Sequence, residues 1–143
     1  MGSDFLPFKE LADAPMAMTA HIVVEGLDKR APVTISPSAL KFIRERLGYD
    51  GLIMTDDLDM KALSGSLSGL TRAALTAGCD IALQCSGKLP AMVEVAKGSR
   101  YLDGDARRRA DIAEFCAEDP REFDYDSAMF EYMALAQLGL EAV

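Results

Sequence analysis

Three short runs of apolar residues stand out along the chain, each beside a small or turn-forming residue: 16–24 (MAMTAHIVV), 51–55 (GLIMT) and 79–85 (CDIALQC). None alternates polar with apolar positions, so each predicts a buried strand. Between the first two, SPSALKFIRERLG has Ser36 placed as N-cap, Pro37 at the first helical position, Leu40, Ile43 and Leu47 on one face, and Gly48 as terminator. Between the second and third, SLSGLTRAALTAG puts Leu67, Leu70 and Ala74 on one face and closes on Gly78. The predicted order is strand, helix, strand, helix, strand.

Strands apolar on both faces and separated by helices require a parallel sheet covered by helices, so the fold class is α/β. After the third strand, KLPAMVEVAKG, DGDARRRADIAEFCAE and DSAMFEYMALAQLGLEAV all read as helices, the last spanning 120–143. That helix carries Met129, Tyr132, Met133, Ala136 and Leu140 at helical spacing, which reads as a packing face, with a partner-contact surface as the other reading. Three parallel strands cannot close a barrel, and as an open sheet they leave edges exposed to pairing.

Charge narrows the classes of partner. The 143 residues carry a formal net charge of −8, a field that repels nucleic-acid phosphates and anionic membrane surfaces. No apolar run is long enough to cross a bilayer. The one basic run, Arg107-Arg108-Arg109, sits among Asp103, Asp105 and Asp111 and reads as a solvated helix face. Cys79, Cys85 and Cys116 are an odd number without ligand spacing, which points away from a disulfide framework or zinc site and toward a reducing, cytoplasmic setting. No cofactor is expected. Residues 1–4 read either as a native start or as a tag remnant.

The second strand runs into three carboxylates, Asp56, Asp57 and Asp59. In parallel α/β folds, loops converge at the C-terminal ends of strands, and chemistry collects there. Three readings stay open. Asp56 or Asp57 could cap a following short helix, DLDMKAL. The three could share a hard cation. Or one could act as a carboxylate nucleophile facing an oxocarbenium-like transition state.

The segment GYDGLIMTDDLDMKAL resembles the nucleophile motif of the family 3 glycoside hydrolases, in particular the bacterial β-N-acetylhexosaminidases that act on peptidoglycan fragments. PFKELADAPMAMTAHIVVEGLD, PVTISPSALKFIRERLGYDG, ALTAGCDIALQCSG and DGDARRRADIAE resemble successive pieces of the same enzymes, so the likeness covers roughly residues 5 to 115. The resemblance implies the C-terminal part of a (β/α)8 barrel, about three β/α units plus terminal helices, with residues 1–143 as a partial catalytic domain. It implies a retaining glycosidase in which Asp56, following Thr55, is the nucleophile. His21, the single histidine, ends a stretch resembling the sixth strand. A lone histidine reads as a satisfied structural residue or, at that address, as lining the sugar pocket; no metal ligand is expected.

The chain departs from the family in lacking the Lys-His-Phe-Pro-Gly-His-Gly type motif and the N-terminal strands, and a barrel takes about 250 residues. Expected partners are therefore an N-acetylglucosamine-containing substrate and either the missing N-terminal half of the barrel or a second copy through self-association. The alternative is a non-catalytic half-barrel that docks to another chain.

Overall fold

The computed structural model describes residues 3–117 and 122–140. Residues 1 and 2 of the ambiguous start, and residues 120–121 and 141–143 of the expected last helix, lie outside them. A short 3-10 turn, Ser3–Phe5, leads into α1 (Leu6–Glu10). Then follow β1 (Met16–Met18), a 3-10 turn at Val33–Ile35, α2 (Pro37–Glu45), β2 (Leu52–Met54), α3 (Leu67–Ala77), α4 (Leu89–Gly98), α5 (Gly104–Phe115) and α6 (Tyr125–Leu140).

The two central helices form where capping chemistry dictates. The Ser36 side chain accepts a hydrogen bond from Ala39 N, and Pro37 supplies a preset φ for the first turn of α2. The Ser66 side chain likewise accepts from Gly69 N at the start of α3. Gly48 at φ 77° and Gly78 at φ 126° redirect the chain after each helix, through backbone conformations that a Cβ would strain.

β1 and β2 pair in parallel, with Met16 opposite Leu52, Ala17 opposite Ile53 and Met18 opposite Met54. Ala17 and Ile53 point into the core that Leu40 of α2 and Ala74 and Ala77 of α3 complete, with Tyr49 and Cys79 beside them. Leu40 and Ile53 are each 1% exposed, and removing such a side chain from water stabilises by about 1.5–3 kcal/mol. Met16 and Met18, on the opposite face of β1, are exposed. One face of the sheet is thus covered by helices, while the β1 end of the other is open.

The third strand is shorter than its composition predicts: 79–85 makes only a parallel bridge, Ile81 to Met54. Two side chains explain the shortening. Ile53 N donates to Asp80 Oδ2 at 2.8 Å, where a ladder would offer a carbonyl, and Leu83 N donates to Thr55 Oγ1 at 2.8 Å. The first strand also stops early, at Met18 rather than Val24. Thr19, Ala20 and His21 turn toward Thr34, and Val33 N donates to Ile22 O at 2.8 Å.

Three further expectations are corrected. DLDMKAL forms turns and no helix. The arginine run is only in part a solvated face: Arg109, with its side chain 14% exposed, reaches Asp80 Oδ1 at 3.1 Å and Asp50 Oδ1 at 3.0 Å. Arg108 Nη2 grips both Asp50 oxygens at 2.8 and 2.9 Å, so these two arginines pin α5 to the start of β2. Arg107, paired with Asp111 along the helix, and Arg108 both remain at the surface. On α6, Met129, Tyr132 and Met133 are exposed, so their stripe is not a packed face.

Candidate active site

At the C-terminal end of β2, Thr55 is fully buried and ties the strand to the 79–85 stretch through two contacts. Its N–H donates to Ile81 O at 2.9 Å, and its hydroxyl accepts from Leu83 N. Asp56 follows, half-buried, with Oδ1 accepting from Asp57 N at 2.8 Å. Its second oxygen accepts no hydrogen bond among the described residues.

Asp57 turns the other way. Its Oδ1 accepts from Asp59 N at 3.1 Å and from Cys85 N at 3.0 Å, so its charge faces backbone N–H groups. The capping expected of Asp57 is therefore directed to a turn and to a distant loop rather than to a helix. Asp59 is exposed and lies 3.5 Å from Gln84 Nε2, which also reaches the Ser86 hydroxyl. The shared-cation reading has no geometric support: among the described residues no three His, Cys, Asp or Glu side chains are grouped to hold a metal.

His21 stands beside this turn, with both ring nitrogens engaged. Nε2 is 2.9 Å from Asp57 O and Nδ1 is 2.8 Å from Thr34 Oγ1. The structure thus brings His21 to the backbone next to Asp56. Thr34, buried and bonded to both His21 and Thr19, was not legible as part of this site, because its partners lie 13 and 15 residues away. Cys85 was missed for the same reason. Its thiol pKa is raised, first by lost hydration and then by the charges of Asp57 and Asp56, so it stays protonated and is a poor nucleophile at neutral pH.

The two ends of β2 differ in kind. Before it, the Asp50, Asp80, Arg44, Arg108 and Arg109 charges pair with one another. After it, the carboxylates of Asp56, Asp57 and Asp59 have no arginine or lysine partner among the described residues.

The Glycosyl hydrolase family 3 N terminal domain profile matches residues 2–105. A beta-hexosaminidase of Alkalilimnicola ehrlichii is 40% identical over 90 residues, covering 59% of this chain and 26% of that protein. One of Thiobacillus denitrificans is 35% identical over 116 residues, covering 78% of this chain and 32% of that protein. Among solved structures, a fungal multi-domain family 3 beta-N-acetylglucosaminidase is 27% identical with a TM-score of 0.62, over 76% of this chain and 15% of that one. The chain thus spans about a quarter to a third of the length of these curated relatives. With its parallel α/β core and a profile match over most of its length, the chain belongs to glycoside hydrolase family 3.

Proposed function

We propose that residues 1–143 form the C-terminal part of a (β/α)8 catalytic domain, and that this part supplies the nucleophile for hydrolysis of a terminal β-linked N-acetylglucosamine. The relatives' names, beta-hexosaminidase and beta-N-acetylglucosaminidase, support the substrate class. The observation that carries the residue assignment is the contrast between neighbours. Asp57 Oδ1 is committed to two backbone N–H groups, one of them from the distant Cys85, whereas Asp56, at the end of a parallel strand, accepts a single bond from the adjacent Asp57 N–H and is tied to no other loop.

In this reading Asp56 attacks the anomeric carbon as the bond to the leaving oxygen breaks, and a general acid protonates that oxygen. Water, deprotonated by the same group, then attacks the anomeric carbon and releases the sugar with configuration retained, restoring the carboxylate. His21 stands beside the Asp56 turn without a free ring nitrogen, so in this reading the acid/base group comes from another part of the enzyme. The natural substrate in this reading is a peptidoglycan fragment in the cytoplasm.

Labelling tests the assignment. A fluorinated N-acetylglucosamine analogue that traps the glycosyl-enzyme is incubated with the full-length parent, which is digested and the labelled peptide sequenced. A label on Asp56 is expected; a label on any other residue overturns it.

A second reading, a non-catalytic module that docks to another chain or to itself, is favoured by the open apolar groove beside β1. Phe8, Leu11, Met16, Met18 and Ile22 line it. Sedimentation of the purified chain separates monomer from assembly.

A further inference from the structure

The backbone that follows Asp56 is gripped from both flanking loops. From the β1 side, His21 Nε2 lies 2.9 Å from Asp57 O; a carbonyl only accepts, so Nε2 carries the proton. The other ring nitrogen, Nδ1, is 2.8 Å from the Thr34 hydroxyl, which holds the ring plane. The Thr34 hydroxyl also donates to Ala20 O at 3.1 Å, which ties the relay to the β1 loop. The Thr19 hydroxyl, 2.9 Å away, donates into the Thr34 oxygen. Thr34 is fully buried, so this relay rests on a fixed base.

From the other side, Asp57 Oδ1 accepts from Cys85 N, and Leu58 N donates to Leu83 O at 3.0 Å. The Asp57 peptide is therefore held through its carbonyl by one loop and through its carboxylate by the other. Its own N–H holds Asp56 Oδ1.

We propose that His21 and Asp57 are positioning residues that fix the rotamer and height of Asp56, His21 through the Asp57 carbonyl and Asp57 through the Cys85 amide. The inference rests on Asp56 being the nucleophile. It gives His21 a task other than binding sugar and makes the geometry of Asp57, rather than its charge, the property that matters.

The test uses the whole chain with four substitutions, His21→Ala, His21→Gln, Asp57→Ala and Asp57→Asn, read by amide hydrogen exchange. The Asp57 amide reports the seat of Asp56 directly, Leu58 and Cys85 report the clamp, and Ile53 reports the core. His21→Ala and Asp57→Ala are expected to speed exchange at Asp57 and Leu58 about tenfold, the scale of one lost hydrogen bond, with Ile53 unchanged. His21→Gln and Asp57→Asn are expected to stay within about threefold, because a carboxamide can donate to Asp57 O or accept from Cys85 N. Nitrogen NMR of the parent chain is expected to find the His21 proton on Nε2.

A proton on Nδ1 alone would overturn the proposal. So would unchanged Asp57 exchange in both alanine variants, or an equal rise at Ile53. Loss of folding in the alanine variants leaves the glutamine and asparagine variants to decide: exchange faster than threefold there overturns it. A sugar label away from Asp56 would remove the nucleophile reading while leaving these exchange rates as they are, so the two failures are distinguishable.

Discussion

Arg44 Nη2 and Asp80 Oδ2 meet at 2.6 Å between α2 and the strand-like stretch after α3. The Asp80 carboxylate also receives Ile53 N, while Arg44 Nη1 donates to Tyr49 O at 3.1 Å and Gly51 O at 2.6 Å. One ion pair thus closes the backbone groups that the short β2 leaves over. The Asp80 side chain is 4% exposed, so its removal leaves Arg44, Arg109 and Ile53 N without their common partner.

Asp80→Ala is expected to lower unfolding stability by about 3–5 kcal/mol in urea, the cost of breaking a buried pair by removing one partner. The Arg44→Ala and Asp80→Ala double variant is expected to lose less than the sum of the singles, since each alone strands the other's charge.

Asp28 gives the chain a sensitivity to acid. Its carboxylate accepts from Arg30 N at 2.9 Å, the Ser36 hydroxyl at 2.7 Å and Ala31 N at 3.1 Å, and these bonds hold its pKa down to about 2. The folded value lies below the ordinary 3.8, so the contribution is fully present above about pH 4 and is lost as pH falls toward 2. Asp28→Asn keeps the acceptor oxygen and removes the titration. Urea midpoints from pH 5 to pH 2 are expected to fall less steeply in that variant than in the parent.

Gly98 sets how closely α4 approaches α3. A Cβ there would collide with the Ser68 carbonyl oxygen and with Thr71 Cβ. Gly98→Ala is expected to cost about 1–3 kcal/mol through overpacking, despite the better helix propensity of alanine. Gly26→Ala, whose Cβ would meet nothing, serves as the control in thermal melts.

The polypeptide 1–143 by itself is expected to hydrolyse a chromogenic N-acetylglucosaminide no faster than its Asp56→Ala variant. A positioned acid/base contributes about 10²–10⁴-fold. The one histidine in the sequence has both nitrogens engaged. Saturable turnover that Asp56→Ala abolishes would show that a complete site is present.

Helices α2 and α3 were legible because their signals are local: Ser36 with Pro37, and the Leu67, Leu70 and Ala74 face closed by Gly78, lie within the segments they punctuate. The extent of the third strand was not. Its apolar residues match a ladder, but Asp80 and Thr55 intercept the hydrogen bonds, and composition does not reveal that. The same separation hid the role of Arg109, whose partners Asp50 and Asp80 lie 59 and 29 residues away. At the site, the TDD run drew attention to the turn after β2. That the Cys85 amide, 28 residues on, anchors the Asp57 carboxylate became visible only in three dimensions.

α5 buries no residue of its own, and ion pairs from Arg108 and Arg109 tether it to the sheet. Added electrolyte weakens such pairs at the surface while leaving apolar burial intact or strengthening it. α5 therefore has two ties that answer differently to salt: the exposed Arg108–Asp50 pair is screened away, while the enclosed Arg109–Asp80 pair keeps the helix on the sheet.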